Sequence, residues 1–263
     1  MIDYTRPDDR QPRASAAPPG YVAPPTPNTP STLADPTGRP TQDRATQRQS
    51  PWLDPDHAPA DGLSYGALLA LTMALVAAAL ATMTIGSVLG GDLEQGTARM
   101  LSIAGFVMLI AQGRVAALRT GVIGFAWLSA LALAIGLGLG PALTYYVSVK
   151  PDLVAEAAGM TGVTVLGAAS FGTFAARDLA RWMRPVSLIV FVLAISTWIT
   201  CAVGSGVSPI VSGAIGLLSA ALIVIDFNYL RRHAEKDDVI WLATGIFVSI
   251  VNIFLSLLNI LDD

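Results

Sequence analysis

The chain has 263 residues, 53% of them hydrophobic and only 13% charged, with a mean hydropathy of +0.57. Soluble domains carry roughly 25% charged residues, so a water-soluble globular fold is excluded. The net charge of −3 divides into −2 over residues 1–61 and −1 over the rest, which gives no basis for nucleic-acid binding.

Residues 1–61 hold 13 of the 17 prolines, six arginines and eight aspartates, with few large apolar side chains. Such a segment buries too little surface to offset its ordering entropy, so a disordered tail is expected over 1–61 and a membrane domain over 62–263. Pro18-Pro19 and Pro24-Pro25 favour extended polyproline conformations.

Beyond the tail, uncharged runs take over, and a helix without a polar face reads as a bilayer span. The first span is expected over about 63–90, the second over 97–118 and the third over 120–149. The third contains Gly136-Leu-Gly138-Leu-Gly140-Pro141. A fourth covers about 153–176. The apolar stretch 185–225 is too long for one helix, since a span needs roughly 20 residues. Gly204-Ser-Gly-Val-Ser-Pro209 divides it into a fifth span (185–203) and a sixth (209–230), and the seventh follows over 239–261. The runs are continuous rather than alternating, so the fold class is an all-α integral membrane protein with seven transmembrane helices.

Loop charges set the orientation. With a cytoplasmic N-terminus, the inner loops hold Arg114, Arg119, Arg177, Arg181, Arg184, Arg231, Arg232 and Lys236, and the outer loops only Arg99 and Lys150. The tail is therefore expected inside, with Asp262 and Asp263 outside.

Two helices carry polar stripes. Ser212, Ser219 and Asp226 recur at intervals of seven in the sixth span, with Gly216 on the same face. Gly245, Ser249, Asn252, Ser256 and Asn259 follow at steps of four and three in the seventh, which places them along one side. Polar groups facing lipid are disfavoured, so both stripes are expected to point into the bundle. For the serines, close helix packing by small residues is the favoured explanation. Asp226 is more expensive, since a carboxylate near mid-span costs roughly 2.5–3.5 kcal/mol on insertion scales. It precedes Arg231 by five residues, as Arg114 precedes Arg119, so Asp226 and Arg114 share a depth and a buried pair between them is geometrically open. The bland alternative is a carboxylate reaching back to the interface.

Enzyme chemistry finds little support. Gly204-Ser205-Gly206 has no histidine in any span to serve as its base, and Asp226 has no acidic partner for aspartyl-protease chemistry. The single cysteine, Cys201, excludes an internal disulfide and a multi-cysteine metal site. A His-Glu-x-x-His motif and a lysine-bearing phosphate loop are both missing, so no cofactor is expected.

Three segments in order carry a resemblance: Ser170-Phe-Gly-Thr-Phe-Ala-Ala-Arg177-Asp178-Leu, Leu222-Ile-Val-Ile-Asp226-Phe, and Phe247-Val-Ser-Ile-Val-Asn252-Ile-Phe254-Leu-Ser-Leu-Leu. Together, with a fainter echo at Gly138-Leu-Gly-Pro141, they resemble the Bax-inhibitor (transmembrane Bax-inhibitor-motif) family in its bacterial branch, over about 63–263. The resemblance implies six helices around a central seventh, in a bacterial plasma membrane. It further implies a pH-sensitive leak of calcium or other cations, controlled by paired aspartates on helices six and seven. Asp226 matches the first, and would be the transient calcium ligand. The second falls on Ser249, which cannot share a proton between carboxylates, so the pH gate is expected to be weak. Asn252 and Arg114 complete the expected pathway. A second implication, from bacterial members, is a non-enzymatic modulator that binds a membrane-anchored AAA protease or other membrane proteins, gripped through the N-terminal tail.

Overall fold

The computed structural model describes residues 64–203 and 208–262, without the side chains of 198–203. The expected disordered tail, the Gly204–Val207 break and Asp263 therefore lie outside the described residues, as does the side chain of Cys201. Among those residues seven long α-helices follow in order: α1 (Tyr65–Leu89), α2 (Gln95–Arg114), α3 (Gly121–Val149), α4 (Pro151–Phe174), α5 (Met183–Val203), α6 (Pro209–Arg232) and α7 (Val239–Asp262). All seven have a segment long and apolar enough to cross a membrane. Large apolar side chains such as Val122, Ile210, Leu217 and Val163 lie exposed on the outside, as a lipid-facing surface requires.

Helix ends follow local chemistry. Ser64 caps α1, its Oγ accepting from the Ala67 amide at 3.3 Å. The second span ends at Arg114, four residues before the expected limit, and a 3-10 turn covers Ala116–Arg119. That turn lets the Arg119 guanidinium donate back to the Gln112 carbonyl at 2.8 Å and to the Gly113 carbonyl, filling acceptors the helix end leaves open. Only Lys150 separates α3 from α4, and Pro151 opens α4, where its missing N–H costs nothing. At that same end Lys150 pairs with Asp262, which also accepts from the Tyr146 hydroxyl at 3.0 Å. The α4 terminus at Phe174 is closed from α6: Arg231 donates to the Thr173 carbonyl, and Arg232 reaches Ala175 at 3.0 Å and Ala176 at 2.7 Å.

The α1–α3 crossing explains the glycine run. A β-carbon on Gly136 would lie 2.2 Å from the Met83 carbonyl oxygen, and one on Gly140 would lie 2.4 Å from the Gly90 carbonyl carbon. Gly86 and Gly90 answer them from α1, so two Gly-x-x-x-Gly pairs bring the backbones together. Gly138 faces the other way, against Ser102 of α2.

α7 is the central helix. Its most apolar window is 56% buried, against 6% for the window containing most of α5. α1, α3, α4 and α6 pack on it directly, through a core that includes Phe247, Ile246, Ala243, Leu131 and Ile223. α2 packs on α3 and α5 on α6, and both face α7 across a cavity.

Candidate functional site

The cavity lies between α2, α5, α6 and α7 and has a volume of about 1910 Å³. It follows the polar side of α7, from Trp241 through Gly245, Ser249, Asn252 and Ser256 to Asn259. The eighteen steps from Trp241 to Asn259 rise ~27 Å along a helix, close to the ~30 Å hydrocarbon thickness. The expected stripe is thus the lining of a space that runs the depth of the membrane domain. Its two ends differ. One carries Arg114, Arg119, Arg181 and Arg184 with Asp237 and Asp238. The other is lined by uncharged groups, where the Asn259 amide donates to Ser212 Oγ at 3.0 Å. The wall on α2 and α5 is mostly apolar, with Ser102, Ser187 and Thr197 among its residues, and Phe106 stacks on Phe191 with ring centres 5.1 Å apart.

The expected site residues divide into two groups. Ser249 and Asn252 line the cavity, and Ser249 is 2% exposed. Arg114 lies at the cavity mouth and is exposed. Asp226 stands behind the lining, 6% exposed, against α7 at Gly245. A β-carbon on Gly245 would lie 3.2 Å from Asp226 Oδ2, so the glycine is what leaves room for the carboxylate. Among the described residues no hydrogen bond or ion pair reaches Asp226.

The Asp226–Arg114 pair is accordingly not formed. Matched depth fixes height but not direction. Asp226 faces α7 from α6, whereas Arg114 ends a helix packed on α3.

Calcium takes six to eight oxygen ligands. Among the described residues no three His, Cys, Asp or Glu side chains converge. Asp226 brings one carboxylate, with the Ser249 hydroxyl one helical turn beyond Gly245. That set is too sparse for a resident calcium ion.

Several polar residues that organise the site were missed from sequence. Gln112 is fully buried on α2, and its amide donates to Thr244 Oγ1 of α7 at 3.0 Å and to the Leu118 carbonyl at 3.3 Å. Arg119 lies over the Trp241 ring, 4.6 Å from its centre, and adds a second tie between these elements. Asn228, also fully buried, accepts from the Leu179 amide at 2.9 Å and donates to the carbonyls of Arg177 at 3.2 Å and Gly172 at 3.4 Å. A lone carboxamide in the apolar run 100–113, and another two residues after a buried aspartate, were the available signals.

Asn228 and Asp226 also join the three recognisable segments in space. Gly172 of the first abuts the backbone of Val224 in the second, where a β-carbon would lie 2.3 Å from the carbonyl oxygen. Asp226 of the second abuts Gly245, two residues before the third. In the loop after α4, Asp178 accepts from the Ala180 amide and from His233 Nε2, each at 2.9 Å. The amide first, and the histidine second, hold its carboxyl below the usual value.

A family profile described as "Inhibitor of apoptosis-promoting Bax1" matches residues 64–263, which is the whole helical bundle. The chain belongs to this Bax-inhibitor family. A Vibrio cholerae relative, named as an uncharacterized membrane protein, is 26% identical over 141 residues. The match spans 52% of this chain and 63% of the relative, so the chain covers less than two thirds of that protein. The family match covers all three segments, and within this Bax-inhibitor bundle they meet at the α4–α6 and α6–α7 contacts.

Proposed function

We propose that the protein is a slow cation leak of a bacterial plasma membrane, with calcium its leading cargo. The observation that carries this reading is the cavity along α7, polar at every turn from Gly245 to Asn259, with Asp226 behind Gly245. A cation crossing hydrocarbon needs oxygen ligands in place of its water. Ser249, Asn252, Ser256 and Asn259 supply hydroxyl and amide oxygens in sequence, and Asp226 supplies a carboxyl group. The N-terminus is cytoplasmic in this reading, because the positively charged loops stay inside. The arginines at the cavity mouth then face the cytoplasm and keep cation flux low by repulsion.

With Ser249 where the family expects a second aspartate, two carboxylates cannot share a proton. Any pH response then rests on Asp226 alone, without the coupled titration of a carboxylate pair. Calcium uptake into dye-loaded liposomes containing only the purified protein tests the proposal. Wild type should exceed empty liposomes clearly, and Asp226→Asn should reduce the excess about tenfold. Flux unchanged by Asp226→Asn would remove the carboxylate from the pathway, and no flux at all would defeat the leak itself. In that event the proline-rich composition of residues 1–61 favours the second reading, a non-enzymatic modulator that offers its tail to a membrane protease.

A further inference from the structure

The cavity mouth has a composition that cation passage does not call for. Four arginines and two aspartates line it, a balance of +2 (4 − 2). Arg119 is engaged with the Gln112 and Gly113 carbonyls and the Trp241 ring. Arg181 lies over the Trp182 ring, 5.7 Å from its centre. Asp238 accepts from the Tyr229 hydroxyl and the Glu235 amide. Arg114 and Arg184 are different. Both are exposed at the cavity, and among the described residues neither has a hydrogen-bond or ion-pair partner.

α5 begins at Met183, between Arg181 and Arg184, with no acidic residue in its first turn, so that turn supplies no carboxylate to the arginines beside it.

Behind the mouth the wall turns to hydrocarbon. Leu109 and Phe106 follow Arg114 up α2, and Leu188 and Phe191 follow Arg184 along α5. Arg114 lies eight residues from Phe106 and Arg184 seven from Phe191, or ~10–12 Å along each helix. A free phosphate has no use for that wall, whereas an acyl chain finds apolar surface to pack on beside the Phe106–Phe191 stack. Arg177 and Lys236 share the same end of the bundle and lie off the cavity wall. A general basic belt would make no distinction between the two sets.

We propose that the groove between α2 and α5 binds one anionic phospholipid of the arginine-side leaflet. Its phosphate sits between Arg114 and Arg184 at the start of α5, and one acyl chain lies along Phe106, Leu109, Leu188 and Phe191. Basic pockets between helices recognise lipid headgroups by this chemistry. Binding is independent of the cation-leak reading and is measured without flux.

The test uses the purified full chain in detergent, incubated with equal phosphatidylglycerol and phosphatidylcholine of the same chain length, with retained lipid read by native mass spectrometry. Wild type should keep phosphatidylglycerol in preference. Arg114→Gln with Arg184→Gln should lower that retention about tenfold, and Arg177→Gln with Lys236→Gln, the same charge change, should stay within about twofold. Phosphatidylglycerol with a photoreactive acyl chain should label the wild type on α2 and α5 near Phe106 and Phe191, which needs no variant to fold. Equal loss in both double variants, labelling spread over all lipid-facing helices, or displacement by millimolar inorganic phosphate would each overturn the proposal. Phosphatidylglycerol retained only after deletion of residues 1–58 would also overturn it, by making the tail the occupant.

Discussion

Asp226 and Gly245 meet where α6 crosses α7, with the carboxylate oxygen 3.2 Å from the point a β-carbon on residue 245 would occupy. Most α7 residues would fill that space with a side chain. The glycine admits a carboxylate that, among the described residues, has no hydrogen-bond or ion-pair partner. A buried acid kept without compensation costs stability, and the cost bears on what can be measured.

Asp226→Asn should therefore raise thermal stability while lowering flux. An amide of the same shape removes the burden of an ionisable group, and a gain of 1 kcal/mol corresponds to about 2–4 °C in a domain of this size. Thermal unfolding of both proteins in one detergent reads this directly. A lower unfolding temperature in the variant would mean that Asp226 is compensated after all.

Ser249→Asp should create the missing acid pair one turn beyond Gly245. Two carboxylates in a low dielectric do not ionise independently, so calcium flux should become steeply pH-dependent between about 6 and 8. The gained dependence should disappear when Asp226→Asn is added. A steep wild-type profile that Ser249→Asp leaves unaltered would place the gate elsewhere.

Asn228→Ala should be among the more damaging single changes. It strips partners from the Leu179 amide and the Arg177 and Gly172 carbonyls. Leaving such groups buried and unpaired costs about 2–3 kcal/mol in total. Ser170→Ala, at an exposed hydroxyl that bonds only within its own helix, should change little. Equal unfolding temperatures for the two variants would show that Asn228 does not anchor the loop.

The Asp178–His233 contact gives a pH-dependent term with a definite sign. Its carboxyl is held below the ordinary value near 3.8, chiefly by the Ala180 amide and then by His233. A group with a lowered folded-state value stabilises the fold above its unfolded value, and the contribution is lost as pH falls through the folded one. The stability difference between wild type and Asp178→Asn should stay level from about pH 7 to 5 and shrink as the pH falls below about 4, through the lowered value. The groups are half exposed, so the difference is small. A difference that persists unchanged at pH 3 would assign it to something other than this carboxylate.

The orientation is checked by reporter fusions. A reporter active only outside the cytoplasm should work after Asp263 and fail after Leu230. The reverse pattern would invert the bundle and place the arginine-lined mouth outside.

Hydropathy made the seven helices legible, and polar spacing made the cavity-lining side of α7 legible, because both are properties of one helix at a time. What escaped depends on which helices meet and at what angle. Equal depth suggested Asp226 and Arg114 as partners, yet depth says nothing of azimuth, and Asp226 faces Gly245. Asn228 could not be matched from sequence because its partners are backbone groups about fifty positions away. The cavity was equally hidden, since it exists where α5 packs on α6 and leaves α7 uncovered. The Gly136–Gly140 run looked like an isolated echo until Gly86 and Gly90 supplied its other half.

The burial of α7 has a consequence for how the protein is made. α7 follows the other six helices in the chain, so translation delivers the middle of the bundle after its perimeter. Until it emerges, Leu131, Ile223 and the α6 face bearing Asp226 must wait in the bilayer with lipid or water where Phe247 and Ile246 will sit. A ribosome that stalls before Val239 leaves a ring with no hub, and such chains should be the preferred substrates of membrane quality control.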